Sequence, residues 1–207
     1  MSNIHVLNLS IGGPDYMDMP FVDKVRELSA NGIIVVSAIG NDGPLYGTLN
    51  NPADLECVLG VGGIDDAHNI APFSSRGVTT RELSTGYGRV KPDLVTYGHR
   101  VRGTGRFTGC AVLSGTSVAS PVVAGAVTLL LSSVPKDLKH RINPGMVKQI
   151  MLNSSKRLLT DENSNKHNIF EQGSGRMNTL DVVHDYMMEQ LVHPAKPSFH
   201  PSSIDLT

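Results

Sequence analysis

From residue 122 to residue 131 the chain is apolar at every position except Gly125 and Thr128. Such a run has no polar face to offer water, so the elements around it must bury it from more than one side. Ten residues fall short of the roughly 20 that a bilayer crossing needs, and no other stretch of the chain is longer or more apolar. The run therefore predicts a core helix. Pro121 is tolerated only near a helix start, which places that start near Ser117. Just upstream, residues 101–107 and 110–113 flank Thr108-Gly109, the pattern of a β-hairpin feeding straight into the helix.

The segments that surround this helix alternate in type. Residues 4–10 read as a strand ended by Gly12-Gly13-Pro14. Phe21, Val22, Val25 and Leu28 fall at helical spacing, and Asn31-Gly32 closes that helix. Ile33-Ile34-Val35-Val36 is a β-branched run of the buried parallel type, and residues 58–64 and 92–97 read as two further strands. Asn143-Pro144 opens a helix as N-cap and first residue, carrying Val147, Ile150 and Met151. A last helix over 179–192 places Leu180, Val183, Met187 and Leu191 on one stripe, and Pro194, Pro197 and Pro201 mark an extended tail over 193–207. Strands alternating with helices predict an α/β fold with a mostly parallel sheet.

Composition excludes several function classes. Hydrophobic residues at 40% and charged residues at 18% describe a folded chain, and 18 basic against 19 acidic side chains leave a net charge of −1. That balance gives no drive towards nucleic acid or an anionic membrane, and aromatics at 5% with no Trp leave no platform for stacking bases. Cys57 and Cys110 are too few for a disulfide framework or a Cys-rich metal site and read as unpaired small hydrophobes, with a bridge between them left open. No helical His-x-x-x-His pair suggests zinc, and no Asp-rich loop stands out by calcium-ligand spacing, which leaves a structural calcium open. The first five residues show neither the basic nor the apolar segment of a signal peptide. Asn8-Leu9-Ser10 and Asn153-Ser154-Ser155 match the glycosylation acceptor pattern, but the first falls in a strand and the second late in a helix. Lys136, Lys139, His140, Arg141, Lys148, Lys156 and Arg157 form a basic stretch that a solvated helix surface explains about as well as a binding partner would.

Ser114-Gly115-Thr116-Ser117-Val118-Ala119-Ser120-Pro121 carries the chemistry. A hairpin delivers a serine to the first turn of a buried helix, where unpaired N–H groups and the positive dipole end favour negative charge. Acyl transfer builds an oxyanion beside its nucleophile and needs that setting. Taken alone, Ser117 would be a helix N-cap. The string Gly115-Thr116-Ser117-x-Ala119-x-Pro121 resembles the segment around the nucleophilic serine of the subtilases, the subtilisin-like serine proteases. Four further segments match that family in order: Leu9-Ser10-Ile11-Gly12-Gly13, Ile39-Gly40-Asn41-Asp42-Gly43, Phe73-Ser74-Ser75-Arg76-Gly77 and Lys91-Pro92-Asp93-Leu94-Val95.

The resemblance implies a subtilisin-like three-layer α/β/α fold, incomplete on its N-terminal side, with residues 1–192 as the C-terminal portion of a peptidase domain. It implies Ser117 as nucleophile and Asn41 as side-chain donor to the oxyanion, with the Ser117 N–H as second donor. Ser10, Ile11 and Gly12 would pair with the substrate backbone, and Ala38, Ile39 and Gly40 would form a wall of the S1 pocket. Residues 41–54, Val95-Thr96-Tyr97-Gly98 and 120–128 resemble the proprotein-convertase branch of the early secretory pathway. That branch implies secretory or membrane-anchored precursor proteins as substrates, cut on the lumenal side of the Golgi or ER at motifs with an Arg upstream of a hydrophobic residue. A propeptide partner is implied as well, and no cofactor is required for the chemistry. The family's Asp-Thr-Gly and His-Gly-Thr-His settings do not occur here, so the triad Asp and His are expected upstream and the chain alone is expected to be inactive. Neither His68 nor His99 has the family context of a substitute base. A truncated subtilase that only binds substrate or propeptide is the alternative. An α/β-hydrolase elbow at 115–119 ranks behind both, because no acid and His pair follows the serine.

Overall fold

Four strands pair in one sheet, in the order β1, β2, β3, β6, and every pairing is parallel. They are β1 (Val6–Leu9), β2 (Ile34–Ala38), β3 (Val58–Ile64) and β6 (Leu94–Tyr97), with the two-residue strands β4 (Gly77–Val78) and β5 (Val90–Lys91) forming a separate ladder between β3 and β6 in sequence. The computed structural model describes residues 4–14, 17–80, 86, 88–158 and 167–192. The expected tail over 193–207 lies outside the described residues.

Alternation along the strands builds three layers. Val35 and Val58 face α1 (Met19–Ala30) and its Val22 and Val25. Ile34, Val36, Leu59, Val61 and Leu94 face the other way, onto α2 (Thr116–Ser133), α3 (Pro144–Ser154) and α5 (Leu180–Val192). β2 and β3 are buried along their whole length, as expected of strands covered on both sides. The predicted apolar run lies inside α2, whose Ala119, Val123, Val127 and Leu130 pack in the core at about 1.5–3 kcal/mol for each large side chain. By length and composition α2 alone among the described helices could cross a membrane, but these contacts make it the core helix the sequence predicts.

Several boundaries move. α1 begins at Met19 rather than 21, because the Asp18 side chain accepts from the Phe21 N–H at 3.3 Å and Pro20 lies in the first turn. β2 starts at Ile34 and runs on through Ser37 and Ala38, two residues past the β-branched run, and β1 stops at Leu9. The hairpin of β7 (Val101–Thr104) and β8 (Cys110–Leu113) turns across residues 105–109, wider than a two-residue Thr108-Gly109 turn, and its Thr104 pairs with Cys110. β4, β5, the four-residue α4 (Ile169–Gln172) and a 3-10 turn over Lys139–Arg141 are too short to leave a period in the sequence.

The structure corrects the reading of one basic residue. Lys148 is buried, not on a solvated surface: its Nζ donates to the Glu56 and Val58 carbonyls at 2.9 and 3.0 Å and pairs with Asp93 Oδ1 at 3.0 Å. Cys110 is exposed, because its β8 position faces away from any core, while Cys57 is half-buried; both are free thiols.

Candidate active site

The parallel sheet brings three chain reversals to one edge, the carboxyl ends of its strands, where open α/β sheets form their crevices. Ser10 follows β1, Asn41 follows β2 and Gly98 follows β6. The Gly115 N–H donates to the Gly98 carbonyl at 2.8 Å, which seats the start of α2 against the end of β6. A cleft of about 260 Å³ opens there, lined by Ser10, Ile11, Gly12, Ala38, Gly40, Asn41, Asn50, Thr116 and Ser117.

Thr116 fixes the geometry of this cleft. Its N–H donates to Asn41 Oδ1 at 2.8 Å, so a side chain from another element caps the first turn of α2. Its hydroxyl lies 3.1 Å from the Gly40 carbonyl, 3.1 Å from Asn41 Oδ1 and 3.2 Å from the Gly40 N–H, and the residue is fully buried. With Oδ1 taken, the Asn41 Nδ2 is left as the end of the amide that faces the cleft, and it has no partner among the described residues. Ser75 pins the backbone on either side. Its N–H donates to the Gly40 carbonyl at 3.1 Å, and its Oγ accepts from the Asp42 N–H at 3.1 Å.

Ser117 is the second residue of α2, and its N–H and hydroxyl both lack a protein partner among the described residues. Asn41 Nδ2 and Ser117 Oγ converge on one point. A methyl built on the Gly115 α-carbon would stand 2.9 Å from Ser117 Oγ and 3.6 Å from Asn41 Nδ2. Two open N–H donors and a free hydroxyl therefore face a single small cleft, the donor arrangement that a tetrahedral oxyanion requires.

Seven of the eight residues singled out from the sequence line this cleft; Ile39 does not. Its side chain is 0% exposed, turned to the interior. Asn50 went unremarked in the sequence. Its N–H donates to the Ile39 carbonyl at 2.9 Å, its Cβ lies against Gly12, and its side-chain amide lies against Gly40 with no bonded partner among the described residues. Asn50-Asn51-Pro52 reads locally as a turn, and only the pairing of Gly13 with Asn51 brings it to the cleft. Among the described residues the cleft lining contains no histidine and no carboxylate. His68 Nε2 lies 2.8 Å from the Tyr97 hydroxyl, and His99 packs edge-on to Phe73 at 5.8 Å. No group of three His, Cys, Asp or Glu side chains able to hold a metal occurs among the described residues.

Comparison with known proteins adds to this geometry. The model of the subtilase family matches residues 1–175. The human membrane-bound transcription factor site-1 protease is 60% identical over the whole of this chain, and the Arabidopsis thaliana subtilisin-like protease SBT6.1 is 54% identical over 99% of it. The chain spans only 18% and 19% of the length of those two relatives. Among solved structures, the patellamide maturation protease PatA superposes with a TM-score of 0.68 at 28% identity, covering 89% of this chain and 63% of that one.

Proposed function

Because the chain belongs to the subtilase family, we propose that it supplies the nucleophile and the oxyanion site of a serine endopeptidase. The observation that carries the reading is the convergence of the Ser117 hydroxyl, the open Ser117 N–H and the Asn41 Nδ2 on one cleft beside Ser10, Ile11 and Gly12. Ser117 Oγ attacks the scissile carbonyl, and the two N–H donors receive the oxygen as its charge develops. Residues 10–12 continue the β1 edge, where an extended peptide can add as a strand and be read through its backbone. Ala38 and Gly40 border the pocket for the side chain preceding the cut, and Asn50 lies between the two walls.

A serine needs a base, and the base needs an orienting carboxylate. Among the described residues the cleft contains neither, and in this reading both come from residues outside this chain. Residues 1–192 then form the C-terminal portion of a peptidase domain, with 193–207 a linker. The substrates are secretory or membrane-anchored precursor proteins met in the lumen of the Golgi or ER, a propeptide occupies the cleft before activation, and no cofactor enters the chemistry. The high identity to site-1 proteases supports this finer reading.

A fluorophosphonate probe and a peptide substrate test it. The full-length protein is expected to take the probe at Ser117 and to turn over peptide. Ser117→Ala is expected to abolish both, and Asn41→Ala to lower kcat by about 10²–10³. The 207-residue chain alone is expected to show no ordinary turnover. A full-length protein that ignores the probe but still captures substrate or propeptide would favour a binding-only role.

A further inference from the structure

Pro121 lies inside α2, four residues after Ser117. In a regular helix the N–H of residue 121 would donate to the Ser117 carbonyl, but proline has no N–H and its ring pushes that carbonyl aside. The oxygen is not left unpaired. Ser10 Oγ donates to it at 3.0 Å, across 107 residues of sequence. The Ser10 hydroxyl is itself held, because Asn8 Nδ2 donates to Ser10 Oγ at 2.8 Å. Asn8 is oriented in turn by the fully buried Ser120, whose Oγ donates to Asn8 Oδ1 at 2.6 Å. Three hydrogen bonds thus run from α2 to β1 and back to α2, ending on the carbonyl of the residue whose hydroxyl faces the cleft. The same bonds occupy the Asn8 amide, which a glycan at the Asn8-Leu9-Ser10 acceptor would need.

We propose that Ser10 and Asn8 are positioning residues for Ser117, acting through the carbonyl that Pro121 sets free, so that the strand presented to substrate and the nucleophile are held in one register. The proposal rests on Ser117 being the nucleophile. Ser10 and Pro121 are coupled by a specific substitution logic. The Ser10 hydroxyl is required only while residue 121 cannot donate. Restoring an N–H at position 121 lets the helix satisfy the Ser117 carbonyl itself, and the hydroxyl becomes dispensable.

The test is a double-mutant cycle in the full-length protein, read as the second-order rate of fluorophosphonate labelling and as thermal unfolding. Ser10→Ala is expected to slow labelling about tenfold in the Pro121 protein, the loss of one hydrogen bond at a site where small misplacement is costly. KM for peptide should stay within about twofold, because the substrate-facing backbone of Ser10 is unchanged. Asn8→Ala is expected to slow labelling about threefold to fivefold. In the Pro121→Ala background neither substitution should slow labelling further, and Ser10→Ala should not lower the unfolding temperature; Asn8→Ala lowers it in both backgrounds, because the buried Ser120 hydroxyl loses its acceptor. Equal losses in both backgrounds, or no loss in the Pro121 protein, would overturn the proposal while leaving Ser117 as nucleophile. Should Pro121→Ala itself resist labelling, the unfolding temperatures of the four proteins decide: a drop on Ser10→Ala confined to the Pro121 background supports the proposal, and an equal drop in both overturns it. Retention of labelling by Ser117→Ala would overturn the nucleophile assignment and this proposal with it.

Discussion

Gly115 has φ 155° and ψ 155°, a region of backbone space essentially closed to residues with a Cβ. It is also the point on which Ser117 Oγ and Asn41 Nδ2 converge. Gly115→Ala therefore does two separable things. It imposes backbone strain of about 1–3 kcal/mol, and it places a methyl where a reacting carbonyl oxygen would sit. The expected result is a protein that folds with a lowered unfolding temperature and does not take a fluorophosphonate probe. Thermal unfolding and labelling of the same sample check it, and a folded variant labelled at the normal rate would contradict it. Gly115, Thr116 and Ser117 are adjacent in sequence, so this part of the site is legible there. Asn50 is not, because its place in the cleft depends on Asn51 pairing with Gly13, a contact between distant segments that no local pattern announces.

At the scale of elements, β3, β5, β6 and α3 are joined by a buried cluster of charges. Lys91 Nζ donates to the Leu55 and Val58 carbonyls, each at 3.0 Å, and to Asp93 Oδ2 at 2.6 Å, while Lys148 takes the other carboxylate oxygen. Asp93 Oδ2 also accepts from the Gly60 N–H at 2.7 Å. Lys91-Pro92-Asp93 is thus a clamp on the start of the central strand. Burial pushes the Lys91 amine down to about 8, against the attraction of Asp93. Burial also pushes the Asp93 carboxyl up, but Lys148 and Lys91 outweigh it, and the net shift is downward. The signs for stability are then opposite to a simple alkaline loss. Asp93 contributes stability that is present above its unfolded value and lost as pH falls through its lower folded value. Between about 8 and the unfolded lysine value of about 10.4, the unfolded chain binds the Lys91 proton more tightly, so this group raises stability as pH rises. Urea midpoints of the full-length protein are expected to fall in acid. Lys91→Met is expected to remove the rising contribution between pH 8 and 10, while lowering the midpoint throughout because the Leu55 and Val58 carbonyls and the buried Asp93 carboxylate each lose one bond to the amine. A Lys91→Met protein with an unchanged pH profile in that window would contradict the assignment.

At the scale of the whole molecule, one edge of the sheet borders an apolar hollow. β1 is an edge of the described sheet. Beside it a hollow of about 590 Å³ is lined by Ile4, Val6, Ile34, Leu131 and Ile142 among others, and Leu129 on the outer face of α2 is 57% exposed. A parallel edge with its backbone groups open, next to a groove of that kind, is a template for another strand. The 207-residue chain by itself is expected to bind a hydrophobic dye such as ANS and to self-associate at micromolar concentration, measured by light scattering. A monomeric, dye-silent chain would show that this face needs no cover.

Local chemistry determined much of this protein. The apolar run ending at Leu131, the β-branched strands and the Ser114 to Pro121 string fix a layered α/β core with a serine at a helix start, because burial periods and caps are set within a few residues. Beyond the local helix caps, tertiary structure decided what the polar groups of the core and the cleft do. Lys148 looked like part of a solvated basic face and is bonded to Asp93 in the interior. The Ser10 hydroxyl reaches a carbonyl 107 residues away. The reason is physical. An apolar side chain is committed to burial by its own chemistry, whereas a hydrogen-bonding group is committed only by the partner the fold brings to it.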